Sequence, residues 1–251
     1  MKTKFEVEVC VDSIESAIVA ENAGANRIEL CSSLAEGGLT PSYALIALAK
    51  GKLNIPIMAM IRPRAGDFYY SELEFEVMKK DILCCKELNV DGVVFGMLTP
   101  QGKVDKERTK ELVTLANPMK VCFHRAIDMT NNYFEAFEDI IECGCTRVLT
   151  SGKENKAVLG LDNIAKIQLD SKGRIEVMAG SGVSADNAKE IYSKTMINHF
   201  HLSAKTIKES KMEYRNKGVS MSDDDFNKEY DIPFTDSKKI EAIIEVLKEL
   251  I

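Results

Sequence analysis

No window of the 251-residue sequence approaches the run of about 20 apolar residues that crosses a bilayer, and charges already punctuate its first strand-like stretch, MKTKFEVEVC. The expectation is a soluble, cytoplasmic chain with no membrane partner. A surplus of positive charge is also missing: 33 Lys and Arg stand against 39 Asp and Glu, for a net −6. That balance argues against a surface built for nucleic acid or acidic lipid and favours small partners. The seven cysteines are odd in number and scattered, with no CxxC pair and no dense disulfide spacing, so reduced thiols are expected. No G-x-x-x-x-G-K-[ST] loop, HExxH helix or nucleophile elbow occurs, and no Pro/Gly/Ser-rich linker divides the chain.

What the sequence does contain is alternation. Eight β-rich runs, FEVEVC (5–10), RIELC (27–31), IPIMAMI (55–61), GVVFGML (92–98), KVCFH (120–124), RVLTS (147–151), IEVMAG (175–180) and HFHLS (199–203), each precede a helical stretch. Asp12 is placed to cap the first helix, with Glu15 reaching back and Gly24 ending it; Ser71 and Glu74 stand in the same relation at the third. Phe75, Met78, Ile82 and Cys85 form the buried stripe of that third helix, and Ile240, Ile243, Ile244 and Leu247 that of the last, predicted over 237–251. Eight β-then-α units in this length predict a closed (β/α)8 barrel formed by residues 1–251 as one domain, with a doubly wound open sheet as the alternative. The stretch at about 205–236 is long and polar, an irregular arm before the last helix that could serve as a lid or an interface.

In a barrel, alternation turns Val7, Val9, Ile28 and Leu30 toward the helices and Glu6, Glu8, Cys10, Arg27, Glu29 and Cys31 inward. Buried carboxylates need partners, and Arg27, Arg62 and Arg64 are the candidates. Barrel enzymes place their sites where the carboxyl ends of the strands converge. That face would collect Cys10, Cys31, the RPRAGDF segment (62–68), His124, Arg125, Asp128, Ser151, the Gly180-Ser181-Gly182 turn, His201 and Ser203.

Several chemistries suit such a face. Glu8 or Glu29 could act as general base and His124 or His201 as acid, with Arg62 and Arg64 holding an anionic substrate and Asp128 a further catalytic candidate. The Gly180–Gly182 turn after the seventh strand, with Ser203 and Lys205 after the eighth, could receive a phosphate, or the glycines could simply permit a tight turn. A purely stabilising network and a partner-binding scaffold are the remaining readings.

The segments EVCVDS (8–13), RIELCSSLAEGGLTPS (27–42), IRPRAGDFYYS (61–71), DGVVFGMLT (91–99), FHRAID (123–128), RVLTSG (147–152), MAGSGV (178–183) and YRNKGVSMS (214–222) occur in order, and together they resemble the CutC family, named for copper homeostasis. Ala65 and Ile127 depart from the family pattern, which usually has glycine and phenylalanine there. The resemblance implies a TIM-type barrel and a copper role, with Cys10 and Cys31 as the metal ligands. Soft thiolates favour Cu(I). If the first two strands are neighbours in register, their ends lie about 4.8 Å apart, close to the separation two thiolates need around one ion. A copper ion or a small anionic molecule is therefore the expected ligand, and a homodimer the expected assembly.

Overall fold

Short β-branched runs that alternate between two faces, each followed by an amphipathic helix, can bury both faces only if the sheet closes and the helices surround it. The computed structural model describes residues 5–216, 218, 219, 221 and 228–250 and has this arrangement. Eight parallel strands close in sequence order, with the last hydrogen-bonded to the first. They are β1 (Glu6–Val11), β2 (Arg27–Leu30), β3 (Ile57–Met60), β4 (Gly92–Phe95), β5 (Lys120–Phe123), β6 (Arg147–Thr150), β7 (Glu176–Ala179) and β8 (His199–Leu202). The helices between and after them are α1 (Ile14–Asn22), α2 (Tyr43–Lys52), α3 (Glu72–Glu87), α4 (Lys106–Ala116), α5 (Tyr133–Glu142), α6 (Leu161–Ser171), α7 (Ala185–Thr195) and α8 (Ser237–Lys248). The open-sheet alternative is thereby replaced by the closed barrel.

The two faces of the strands belong to different packing layers. Val7, Val9, Ile28, Leu30, Ile57, Val93, Phe123, Val148 and Phe200 join the helices in one large apolar core. Cys31, Met58, Met60, Val94, Cys122, Leu149 and Met178 form a separate apolar cluster inside the barrel. The inward positions nearest the β1–β2 seam are instead charged: Glu8, Arg27 and Glu29 are all buried. Arg27 pairs with Glu8 through Nε and with Glu6 through a terminal nitrogen. Arg62 and Arg64 do not share that task, because Arg62 holds loop carbonyls and Arg64 pairs with Asp67 and Glu74 at the start of α3.

The helix-end signals hold at α3 and shift by one residue at α1. The Ser71–Glu74 capping box is present, and Phe75, Met78, Ile82 and Cys85 are the buried face of α3. The cap of α1 is Ser13, which accepts from the Ser16 N–H, whereas Asp12 accepts from the Leu34 N–H after β2. Serine, one residue closer to the helix, has its oxygen at the right reach, which frees Asp12 for the neighbouring loop. In α8, Ile240, Ile243 and Leu247 are buried and Ile244 packs against the core; Ile251, the last position of the expected helix, lies outside the described residues.

The arm is more regular at its base than its polarity suggested. After β8 the chain forms β9 (Lys205–Glu209), which pairs antiparallel with β10 (Asp231–Thr235) immediately before α8. Residues 217, 220 and 222–227 of the arm, and with them part of the YRNKGVSMS segment, lie outside the described residues. No helix among the described residues is long and apolar enough to cross a membrane.

Candidate functional site

Barrel closure, not proximity in sequence, assembles the site. The β1–β2 register sets Cys10 opposite Glu29, and the β1–β8 register sets Glu8 opposite His201. Three donor atoms, one each from Cys10, Glu29 and His201, consequently lie within 4.8 Å of one another, and all three residues are buried. They face a cavity of about 460 Å³ at the carboxyl ends of the strands.

Glu8 sits beneath this cluster and fixes the histidine. Burial opposes its charge, but Arg27 and the hydrogen bond to His201 outweigh that and hold the carboxyl well below its ordinary range. An ionised carboxylate can only accept, so His201 Nδ1 donates to Glu8 Oε1 at 2.8 Å. Its other nitrogen, Nε2, is then turned toward Glu29, 3.8 Å from Oε2. Burial also opposes a positive charge on His201, yet Glu29, Cys10 and Glu8 together raise its pKa well above the usual value.

Glu29 has the opposite environment. Burial lifts its pKa to about 7, with His201 opposing and Glu8 adding to the rise, and its Oε1 has no hydrogen-bond partner. A carboxyl with a raised pKa binds its proton more tightly folded than unfolded, so stability falls as pH climbs from the unfolded to the folded value. In metal-free protein, the stability of wild type relative to Glu29→Gln is expected to drop between about pH 4.5 and 7 and level off above. Urea denaturation across that range measures it; a constant difference would show that Glu29 is not held protonated.

Cys31 occupies a different level. Because Cys10 is opposite Glu29, Cys31 lies two residues further along β2's direction, roughly 6–7 Å beyond the position that direct pairing would give. Its thiol donates to Glu29 Oε2 at 3.6 Å. Burial and the nearby Glu29 and Cys10 raise its pKa well above the ordinary thiol value, keeping it protonated. The loop after β2 closes over it: Gly38 has φ +90°, and a Cβ there would lie 3.1 Å from the Cys31 sulfur. The register therefore replaces the expected pair of thiols at adjacent strand ends by a Cys–Glu–His cluster, with Cys31 one level further toward the carboxyl ends of the strands.

The other anticipated residues divide between cavity and scaffold. Arg62, His124, Ser181, Gly182 and Ser203 border the same cavity. Arg64 does not; it faces Asp67 and Glu74 and lies 5.2 Å from the Tyr70 ring centroid. Asp128 also stands outside it, its oxygens occupied by Arg125 Nε (2.9 Å), Thr150 Oγ1 (2.6 Å), Ser151 N (3.0 Å) and Lys153 N (3.0 Å). It ties the loop after β6 to the turn after β5. Gly180 is not on the lining; a side chain there would collide with Leu149, so its role is close packing. Sequence reasoning missed the lining contributions of Met60 and Leu149, whose apolar character gave no functional signal.

Residues 5–206 match the model of the CutC family. The chain belongs to the CutC family. The mouse "Copper homeostasis protein cutC homolog" is 44% identical over 247 residues, covering 98% of this chain and 91% of that protein. The human protein of the same name is 43% identical over 247 residues, covering 98% of this chain and 90% of its own. Among solved structures, CutC from Streptococcus agalactiae superposes with a TM-score of 0.76 at 32% identity, covering 79% of this chain and 98% of that one. The CutC barrel described here is thus of the same fold as a crystallised relative, and copper homeostasis is the role for which these relatives are named.

Proposed function

We propose that this CutC chain binds Cu(I) at the mouth of its barrel through the Cys10 thiolate and His201 Nε2, with the Glu29 carboxylate on the third side. The observation that carries this reading is the convergence of the three donor atoms within 4.8 Å. A soft thiolate and an imidazole suit copper, and a hydrogen-bonded carboxylate behind the imidazole is the usual means of orienting a metal-binding histidine. Glu8 supplies that carboxylate. All seven cysteines are free, as a cytosolic thiol site requires.

Binding demands a deprotonated thiol and a neutral imidazole, so protons must leave as the ion enters. Glu8 keeps its hydrogen bond to Nδ1 throughout, and the proton lost from His201 is the one on Nε2. Cys31, protonated and two residues away in register, supports the cluster through Glu29. Anaerobic titration of Cu(I) against bathocuproine tests the proposal. One equivalent per chain should be withheld from the chelator, and a protein that withholds none would refute it.

A further inference from the structure

The cavity is far larger than a single ion needs: its roughly 460 Å³ compares with the about 10–15 Å³ that one water requires. Its side nearest β3 and β5 is built from groups that play no part in the proposed copper site. Arg62, just past β3, is buried, and among the described residues it has no carboxylate partner. One terminal nitrogen donates to the carbonyls of Glu36 (2.8 Å) and Gly38 (3.1 Å), the other to that of Gly66 (2.9 Å), and Nε has no partner. Three of its five N–H groups are thus spent on neutral acceptors, the buried Tyr70 hydroxyl beside it is neutral too, and no carboxylate among the described residues pairs with its charge. Glu36 also borders the cavity, but it offers Arg62 a main-chain carbonyl while its side chain is exposed.

His124, at the end of β5, presents a second unused donor. Its Nδ1 accepts from the Ala126 N–H at 3.2 Å, so in the neutral ring the proton resides on Nε2. Burial and the charge on Arg62 keep that ring neutral, and Nε2 is buried without a partner. Both groups border the Phe68 ring, with the guanidinium carbon 5.3 Å and the His124 ring 4.9 Å from its centroid. One wall of the cavity therefore carries a buried positive charge and an unmet hydrogen-bond donor about one aromatic ring, and leaving both without an acceptor is costly.

We propose that this wall binds the oxyanion of a small organic molecule, a carboxylate or a phosphate ester, which accepts from His124 Nε2–H and compensates Arg62. The body of the ligand then occupies the cavity toward Ser181 and Ser203 on the far side. The inference stands apart from copper, because its donors come from β3 and β5 while the thiol–imidazole cluster comes from β1, β2 and β8.

Calorimetric titration of metal-stripped protein with inorganic phosphate and, separately, acetate at constant ionic strength tests it. Saturable binding of either probe is expected, and His124→Asn, which keeps an acceptor for the Ala126 N–H but removes the Nε2 donor, should weaken it about tenfold or more. Preference for phosphate assigns a phosphate ester, and preference for acetate a carboxylic acid. Binding of neither probe, or equal binding by the variant, overturns the proposal. Should the variant not fold, ¹⁵N NMR of wild-type histidines decides: the His124 Nε2–H signal must move with the bound probe, and a signal that stays in place refutes the contact.

Discussion

Arg27→Met is expected to destabilise the protein by about 3–5 kcal/mol at neutral pH, because it removes the cation from a carboxylate that stays buried. Glu8 is 1% exposed and Arg27 4%, so neither solvent nor salt screens the pair. His201, with a smaller contribution from Arg147, is left to face Glu8, and it must serve Glu29 as well. The sign of the pH dependence follows from the direction of the Glu8 shift. A carboxyl with a depressed pKa adds stability above its unfolded value of about 4.5 and loses it as pH falls toward the folded one. Removing Arg27 raises the folded value, so the gap between variant and wild type should be full at pH 7 and narrow below about pH 4.5. Denaturant midpoints at the two pH values measure it. Glu8→Leu combined with Arg27→Met should recover much of the loss, since the second substitution removes the stranded charge.

The other large effect concerns the metal. Cys10→Ser should lower Cu(I) affinity by more than about 100-fold, beyond the 10–100-fold typical of losing an outer partner, because it replaces a soft thiolate by a hard hydroxyl in the cluster itself. Cys31→Ser should cost about tenfold or less, since its thiol is protonated and contacts Glu29. The order of the two variants separates this account from one in which the two cysteines act as an equal pair. Bathocuproine competition on both proteins measures the difference, and equal losses would contradict it.

The barrel was legible because its determinants are local. β1, β2 and β8 alternate polar and apolar residues, and their outward set, from Val7 to Phe200, is apolar without exception, while β3 and β4 are apolar on both faces. The inward turn of Glu8, Cys10, Glu29 and Cys31 follows from the same period. What the sequence did not reveal was stagger. A one-residue change of register moves every partner, and only the paired backbone shows that Cys10 faces Glu29 rather than Cys31. The partnership of Glu8 and His201 was available in principle, since closing eight strands must bring HFHLS beside EVEVC. Arg64 and Asp128 were read as site residues because they lie in loops at the right end of the barrel. Arg64 and Asp128 themselves lie outside the barrel strands and the long helices, so pattern could not show that Glu74, in the first turn of α3, and Arg125 were already paired with them.

X-ray absorption spectroscopy of the Cu(I)-loaded protein tests the central claim most directly. The account predicts one sulfur at about 2.3 Å together with the outer-shell scattering of an imidazole ring. A spectrum with sulfur and no imidazole, or with light-atom ligands alone, would contradict it.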